Sequence, residues 1–450
     1  MNDDKKVSLT STVLFTVCSI LVLDSFVAPA IIGVSSITVW IISAIIFFIP
    51  YGLLSAELGS TFPDDGGIVS WTHRAFGEFL SVLVGWMYWV NTAFWMPAVF
   101  TAFSGWLTLA LFPNMGIWPQ AIIAIVMSWV IVFIGVRGID LSVTVADIMA
   151  IIKMTILVIF GFMGVVYGVK NGLANDFSLP NWIPTMDNTV MYVSVIVYNL
   201  MGFELIGSIG SKIENPKKNV PKMTIIAGAA ITFLYAFGTF GVLSAVNAAN
   251  VDEVDGFVYA LQELCTIFGA AQMPAFYILI TMAIATLVAN MITWSMGANE
   301  SFQAAELDKR SKFLGHRNEK YGTSDNLYYV MGVISTLLIV LNYALSGNAN
   351  DVFWTIFSFG SIVFMLNYLV MFPAAIKLKF TDNTPRNYEV PGGKLGMLLC
   401  GGICFIVVAL ACYFLIDWDF TGYAFWFQFI GVLLTVGVGC WLYKAGRGKN

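Results

Sequence analysis

Stretch after stretch of roughly twenty apolar residues, separated by short polar loops, limits this chain more than any other feature. A run of that length spans the hydrocarbon core of a bilayer as an α-helix. Backbone inside lipid must satisfy its own hydrogen bonds, which leaves helices as the spanning element. A window of about 19 residues places spans at 9–34, 37–58, 78–112, 118–136, 141–168, 189–211, 223–247, 272–299, 326–346, 352–376, 395–416 and 422–442 of the 450 residues. The third run is long enough to tilt strongly, and 256–268 reads as a short helix outside the membrane. Only 11% of residues are charged, against about 25% in soluble domains, so no soluble domain remains once the spans are removed. The expected fold class is an all-α polytopic membrane protein of about twelve transmembrane helices, bounded by membrane lipid.

Charge placement supplies an orientation. With the N-terminus in the cytoplasm, all of the 22 Lys and Arg except Lys153 and Lys170 fall in cytoplasmic segments. That bias predicts a cytoplasmic membrane protein with both termini inside. The first apolar run is too long for the core of a signal peptide and is read as a mature span.

Three charges stand where a membrane makes them costly. Asp24 lies in the run SILVLDSFVAPAIIG, Lys153 about twelve residues into the fifth span, and Glu204 in YNLMGFELIGSIGS of the sixth. A charge at mid-bilayer costs roughly 2.5 to 3.5 kcal/mol even on insertion scales, so each should face protein or a cavity and have a partner. Pro29 predicts a break in the first span, because it lacks an N–H and clashes with the preceding turn. Gly202, Gly207 and Gly210 weaken the sixth, or serve close helix packing. Lys153 reads either as half of a structural ion pair, with Asp147 as the nearest candidate, or as a functional cation. The first and sixth spans run in opposite directions, five spans apart, and each carries a carboxylate beside a helix-weakening residue. This is the signature of an inverted repeat with a midplane site.

Several classes fall away. No basic patch interleaved with aromatics points to nucleic acid. The six cysteines lie almost entirely in apolar runs and read as core residues, the i, i+4 pair Cys400 and Cys404 included. His73 and His316 fall in predicted loops, so no metal site is expected. There is no G-x4-G-K-[ST] loop, and the glycine-rich run Gly207 to Lys212 lies inside a span. Neither catalytic residues nor a cofactor are expected. Glu57 and Asp140, at cytoplasmic span ends, read as inward gates or as solvated helix-end charges, and Glu263 has no assigned role.

The loop Glu214-Asn215-Pro216-Lys217-Lys218-Asn219-Val220-Pro221 resembles the ENPKRNVP-type loop of the amino acid, polyamine and organocation (APC) transporter superfamily. Pro50, Ala56-Glu57-Leu58, Phe62-Pro63, Gly66-Gly67 and Phe76-Gly77 resemble the second span and following loop of the same family. The resemblance covers essentially the whole chain. It implies a LeuT-type fold: a first repeat within 1–168, an inverted second repeat within 189–376, and two further helices within 395–442.

In such transporters the first span usually reads G-S-G-[IV]-F-x-x-P, and its exposed backbone N–H groups hold a substrate α-carboxylate. Aligned on Phe26 and Pro29, this chain has Val22-Leu23-Asp24-Ser25, with both glycines gone and a carboxylate in their place. Two negative groups close together at low dielectric repel strongly, so the site should favour a cation. Glu204, with Gly202, matches a G-x-E pattern of arginine/agmatine exchangers. Tyr198 falls where those have a gating tryptophan, and Trp294 resembles their substrate-stacking tryptophan, although packing or anchoring would also explain it. Tyr88, Trp89, Asn91, Trp95 and Met96 are candidates for the outer wall. Lys153 matches a fifth-span lysine that stands where sodium-coupled relatives bind a cation, which implies sodium independence.

The resulting expectation is a secondary antiporter whose partner is a small-molecule amine. Agmatine and putrescine are its sharpest form, because Asp24 and Glu204 can each hold one end of a short dication through charged hydrogen bonds of roughly 1.5 to 3 kcal/mol. An aromatic wall would add cation–π attraction. The alternative is a proton-coupled or exchanging amino-acid permease, amino acid/decarboxylated amine exchange included, in which Asp24 or Glu204 carries the proton. A pair of broken helices argues for a carrier over a channel. Oligomeric state is left open.

Overall fold

Among the described residues, two of the predicted spans are interrupted helices and the others run through without a gap. The computed structural model describes residues 6–63, 66–138, 143–206, 213–252, 255–344 and 349–447. The elements that frame the site are α1 (Leu9–Ile20), α2 (Ser35–Thr61), α3 (Ile68–Phe76), α4 (Glu78–Leu111), α5 (Ile117–Val136), α6 (Val143–Asn171) and α7 (Met186–Asn199). They are followed by α8 (Pro216–Ala245), α9 (Gly256–Cys265), α10 (Gln272–Ala304), α11 (Asp325–Ala344), α12 (Ala349–Thr381), α13 (Gly393–Leu415) and α14 (Tyr423–Arg447). Among the described residues ten helices are long and apolar enough to cross a membrane, and Leu9–Ile20 and Tyr192–Ile206 are shorter apolar ones. Those twelve correspond one for one to the predicted spans. α9 is the expected short helix between spans.

Burial sorts the apolar residues into two faces. A continuous core runs from Val17 through Tyr235 to Leu415, while Ile45, Phe162, Leu337 and Trp441 are more than half exposed. An outer surface that apolar belongs against lipid. α6 packs along α8, α1 lies against both, and α10 lies against α4. The α6–α8 crossing depends on absent side chains: a Cβ on Gly241 would stand 2.3 Å from the Phe160 carbonyl oxygen. Small residues allow such backbone approach where helices meet in lipid.

Interruption of the first span is not where proline would put it. α1 ends at Ile20, residues 21–27 are non-helical, and a 3-10 turn runs Ala28–Ile32 with Pro29 at its start. The chain therefore leaves the helix several residues before Pro29. Proline fits the first turn of a helix, where its missing N–H is not needed. In the sixth span α7 stops at Asn199, Gly202 has φ 131°, and residues 203–206 form a 3-10 turn. Gly207 and Gly210, as well as Asp140, lie outside the described residues.

Two loop expectations are corrected. His73 lies in α3, a short helix between Gly67 (φ 47°) and Gly77 (φ 83°). Glu57 is not a solvated helix-end charge but 1% exposed. Its carboxylate accepts hydrogen bonds from Lys379 Nζ (2.8 Å) and the Val390 backbone N–H (2.7 Å), with Arg386 Nε 3.6 Å away. This buried cluster ties the end of α2 to the end of α12 and the loop beyond. Among the described residues no group of His, Cys, Asp and Glu is arranged to hold a metal.

Candidate substrate site between the broken helices

A helix that stops inside a membrane strands backbone groups, and here side chains from other helices take them up. The Tyr235 hydroxyl, from α8, accepts from the Val22 N–H (3.0 Å) and donates to the Ile20 carbonyl (2.9 Å). In the sixth span the Tyr51 hydroxyl, from α2, accepts from the Gly202 N–H (3.2 Å) and the Glu204 N–H (3.4 Å) and donates to the Glu204 carboxylate. Ser25 Oγ donates to Asn199 Oδ1 (2.8 Å), and Asn199 Nδ2 donates back to the Ser25 carbonyl (3.3 Å), so the two breaks are also tied to each other.

Lys153 does not pair with Asp147. Asp147 accepts from Ser11 Oγ at 2.7 Å, whereas the fully buried Lys153 ammonium donates to the Cys18 carbonyl (2.6 Å) and to Asn290 Oδ1 (2.5 Å). The last carbonyls of a helix lack intrahelical partners and carry the negative end of its dipole. A cation at the end of α1 answers both, and it joins α1, α6 and α10 at one point.

Between the breaks lies a cavity lined by Ser19, Ile20, Val22, Ser25, Asn91, Trp95, Tyr198, Asn199, Met201, Trp294 and Phe364. Four predicted residues therefore meet there: Ser25, Trp95, Tyr198 and Trp294. Asn91 joins them from the predicted outer wall. Four aromatic rings form one wall: Trp95 and Phe364 meet Trp294 edge-on at centroid distances of 5.6 and 5.9 Å, and Tyr198 meets Phe364 at 5.6 Å. The space inside is about 20 Å³, room for about one water. A substrate of several heavy atoms requires the walls to part.

Both carboxylates flank the cavity without lining it, and they differ in kind. Glu204 is 2% exposed, held by Tyr51 and by Tyr88, whose hydroxyl donates to Glu204 Oε1 at 2.9 Å. Tyr88 thus belongs to Glu204 rather than to the aromatic wall, although its ring lies nearly parallel to Trp294 at 6.4 Å. Gly202 sits behind the same break, its N–H turned to Tyr51. Asp24 sits between the lining residues Val22 and Ser25, and its Oδ1 is buried with no hydrogen-bond partner. The Asn91 side-chain oxygen and the Trp294 indole N–H are buried and unpaired in the same way. Buried polar groups without partners are uncommon, and three of those in this structure stand around one cavity. Tyr51 and Tyr235 escaped the sequence reading because nothing in their own runs distinguishes them from packing aromatics. The break each one serves lies in another helix.

The two interrupted helices of this all-α membrane fold meet at one cavity. The family model described as amino acid permease matches residues 7–437. The chain belongs to this family, within the APC superfamily, and is a transporter. A probable agmatine/putrescine antiporter of Lactococcus lactis subsp. lactis is 31% identical, covering 91% of this chain and 88% of that one. An aspartate/glutamate permease of Lactococcus lactis subsp. cremoris is 23% identical, covering 90% and 86%. An arginine/ornithine antiporter of the same subspecies is 23% identical, covering 87% and 80%.

Proposed function

We propose that this carrier exchanges cationic amines across the bacterial cytoplasmic membrane by alternating access, agmatine-like substrate against putrescine-like substrate, with both termini in the cytoplasm and with no chemical step. The observation that carries this is the pair of unpaired buried oxygens beside an aromatic cavity, Asp24 Oδ1 and Asn91 Oδ1. Both accept hydrogen bonds, and a guanidinium or ammonium only donates. A backbone donor that would hold a carboxylate is already taken, since the Val22 N–H is bonded to Tyr235. Trp294, Trp95 and Tyr198 would face the cation with their rings, a contact of roughly 0.5 to 2 kcal/mol. Asp24 is then the group that recruits charge, and Glu204, held by two tyrosines, closes one end of the site.

The test is counterflow of labelled agmatine into proteoliposomes loaded with putrescine. Asp24→Asn, similar in shape but without the charge, abolishes it. Exchange at the wild-type rate by that variant rejects the role of Asp24.

A second reading has one observation in its favour. The unpaired Trp294 indole N–H is a donor, and a substrate carboxylate would satisfy it, as in exchange of an amino acid for its decarboxylated amine. Arginine and agmatine differ only by that carboxylate, so counterflow with each separates the two readings.

A further inference from the structure

Tyr51 and Tyr235 do the same thing in opposite halves of the chain. Tyr51 lies on the helix that follows the first break and serves the second break. Tyr235 lies on the helix that follows the second break and serves the first. Each stands ten residues before the last residue of its helix, Thr61 and Ala245. Each also stacks on an aromatic ring of α2: Tyr235 on Trp40 at 4.3 Å, and Tyr51 on Phe47 at 5.5 Å.

We propose that these two tyrosines are equivalent positioning residues of two inverted repeats, and that they hold opposite ends of the transport path shut. The repeat assignment is the one step taken from the carrier reading; the substrate is not needed. α2 runs toward the face from which the chain enters the membrane, and α8 runs away from it. In helices of 27 and 30 residues, ten residues at ~1.5 Å each put the two Cα atoms roughly 15 Å from the helix ends, past the midpoint of each helix and toward opposite faces. A two-fold rotation about an axis lying in the membrane plane, which exchanges two inverted repeats, also exchanges the faces to which the site opens. Loss of one hydroxyl must then favour opening on one side, and loss of the other must favour the reverse. Tyr51 faces the N-terminal side, where it holds Glu204 and both backbone donors of the break. Removing its hydroxyl loosens that side. Removing that of Tyr235 frees Val22 and Ile20 and loosens the other.

The pins also explain why the two carboxylates differ. The Tyr51 hydroxyl reaches Glu204, whereas Tyr235 spends its proton on the Ile20 carbonyl and leaves Asp24 Oδ1 unpaired. Neither tyrosine lines the cavity.

The experiment reads access without any substrate. A cysteine placed at Asn91, in the cavity wall, is labelled in oriented proteoliposomes with a membrane-impermeant maleimide applied from each face in turn. Mass spectrometry of the Asn91 peptide separates it from the native cysteines. Tyr51→Phe should raise the ratio of N-terminal-face to opposite-face labelling by about fivefold, and Tyr235→Phe should lower it by about fivefold, the change in an equilibrium that loss of one ordinary hydrogen bond produces. Shifts in the same direction, or no shift in either variant, overturn the proposal. If Tyr51→Phe is not recovered folded, Tyr235→Phe decides alone, and a shift toward the N-terminal face, or none, overturns it. Amine counterflow is read separately in protein with Asn91 intact; labelling shifts as expected beside no amine exchange by that protein uphold the pins and reject the amine reading.

Discussion

Ser25 and Asn199 hold each other by two hydrogen bonds, 2.8 Å from hydroxyl to amide oxygen and 3.3 Å from amide nitrogen to backbone carbonyl. One residue belongs to the break of the first span and the other ends α7, so the pair makes the two interruptions a single unit. Both line the cavity.

A double-mutant cycle measures that bridge. Ser25→Ala and Asn199→Ala, alone and combined, should show a coupling of about 1 kcal/mol in thermal stability, the net worth of a typical intramolecular hydrogen bond. Strictly additive losses would mean that the bridge contributes nothing.

Glu57 makes a sharper case. Its carboxylate is buried among Lys379, Arg386 and the Val390 N–H. Removing one member of a buried ionic group leaves the others uncompensated, at a cost of about 3–5 kcal/mol, whereas replacing a pair by apolar residues is often neutral. Glu57→Gln should therefore melt well below wild type in detergent, and Glu57→Leu combined with Lys379→Met should recover part of the loss. A double variant less stable than either single change would contradict this reading.

Outside the spans, Asp255 ties stability to pH. Burial, reinforced by the nearby charge of Asp252, pushes its carboxyl up to about 6, against an ordinary value of about 4. The folded protein therefore binds this proton more tightly than the unfolded chain, and stability falls as pH rises from about 4 to about 6, then levels off. Melting temperature measured across that range should show the fall in wild type and lose this part of it in Asp255→Asn. An unchanged slope in the variant would assign the dependence to other groups.

How much of this was legible beforehand depends on how local the cause is. Twelve spans could be read from hydropathy because lipid acts on each segment separately, and the described residues hold ten long apolar helices plus two short ones. Ser25, Tyr198 and Trp294 were marked by the family resemblance and Trp95 by the aromatic stripe of the third span, and the four do meet around one cavity. Asp24 and Glu204 were visible as charges where charge is costly. Their different situations were not, because those depend on which phenol stands opposite each.

What the chain's own order of residues determined is therefore the solvent it requires, the number of crossings and the two crossings that fail. Hydrophobic periodicity and the cost of charge in hydrocarbon act over single helices, so they are written in single stretches. Only the folded molecule decided that α1 stops at Ile20 rather than at Pro29, that Lys153 answers Cys18 and Asn290 rather than Asp147, and that Tyr51 and Tyr235 complete each other's interrupted helices. The contacts of Lys153, Tyr51 and Tyr235 are hydrogen bonds between residues more than 130 positions apart. A buried donor takes whichever acceptor packing brings within reach, and neighbours in sequence do not reveal which one that will be.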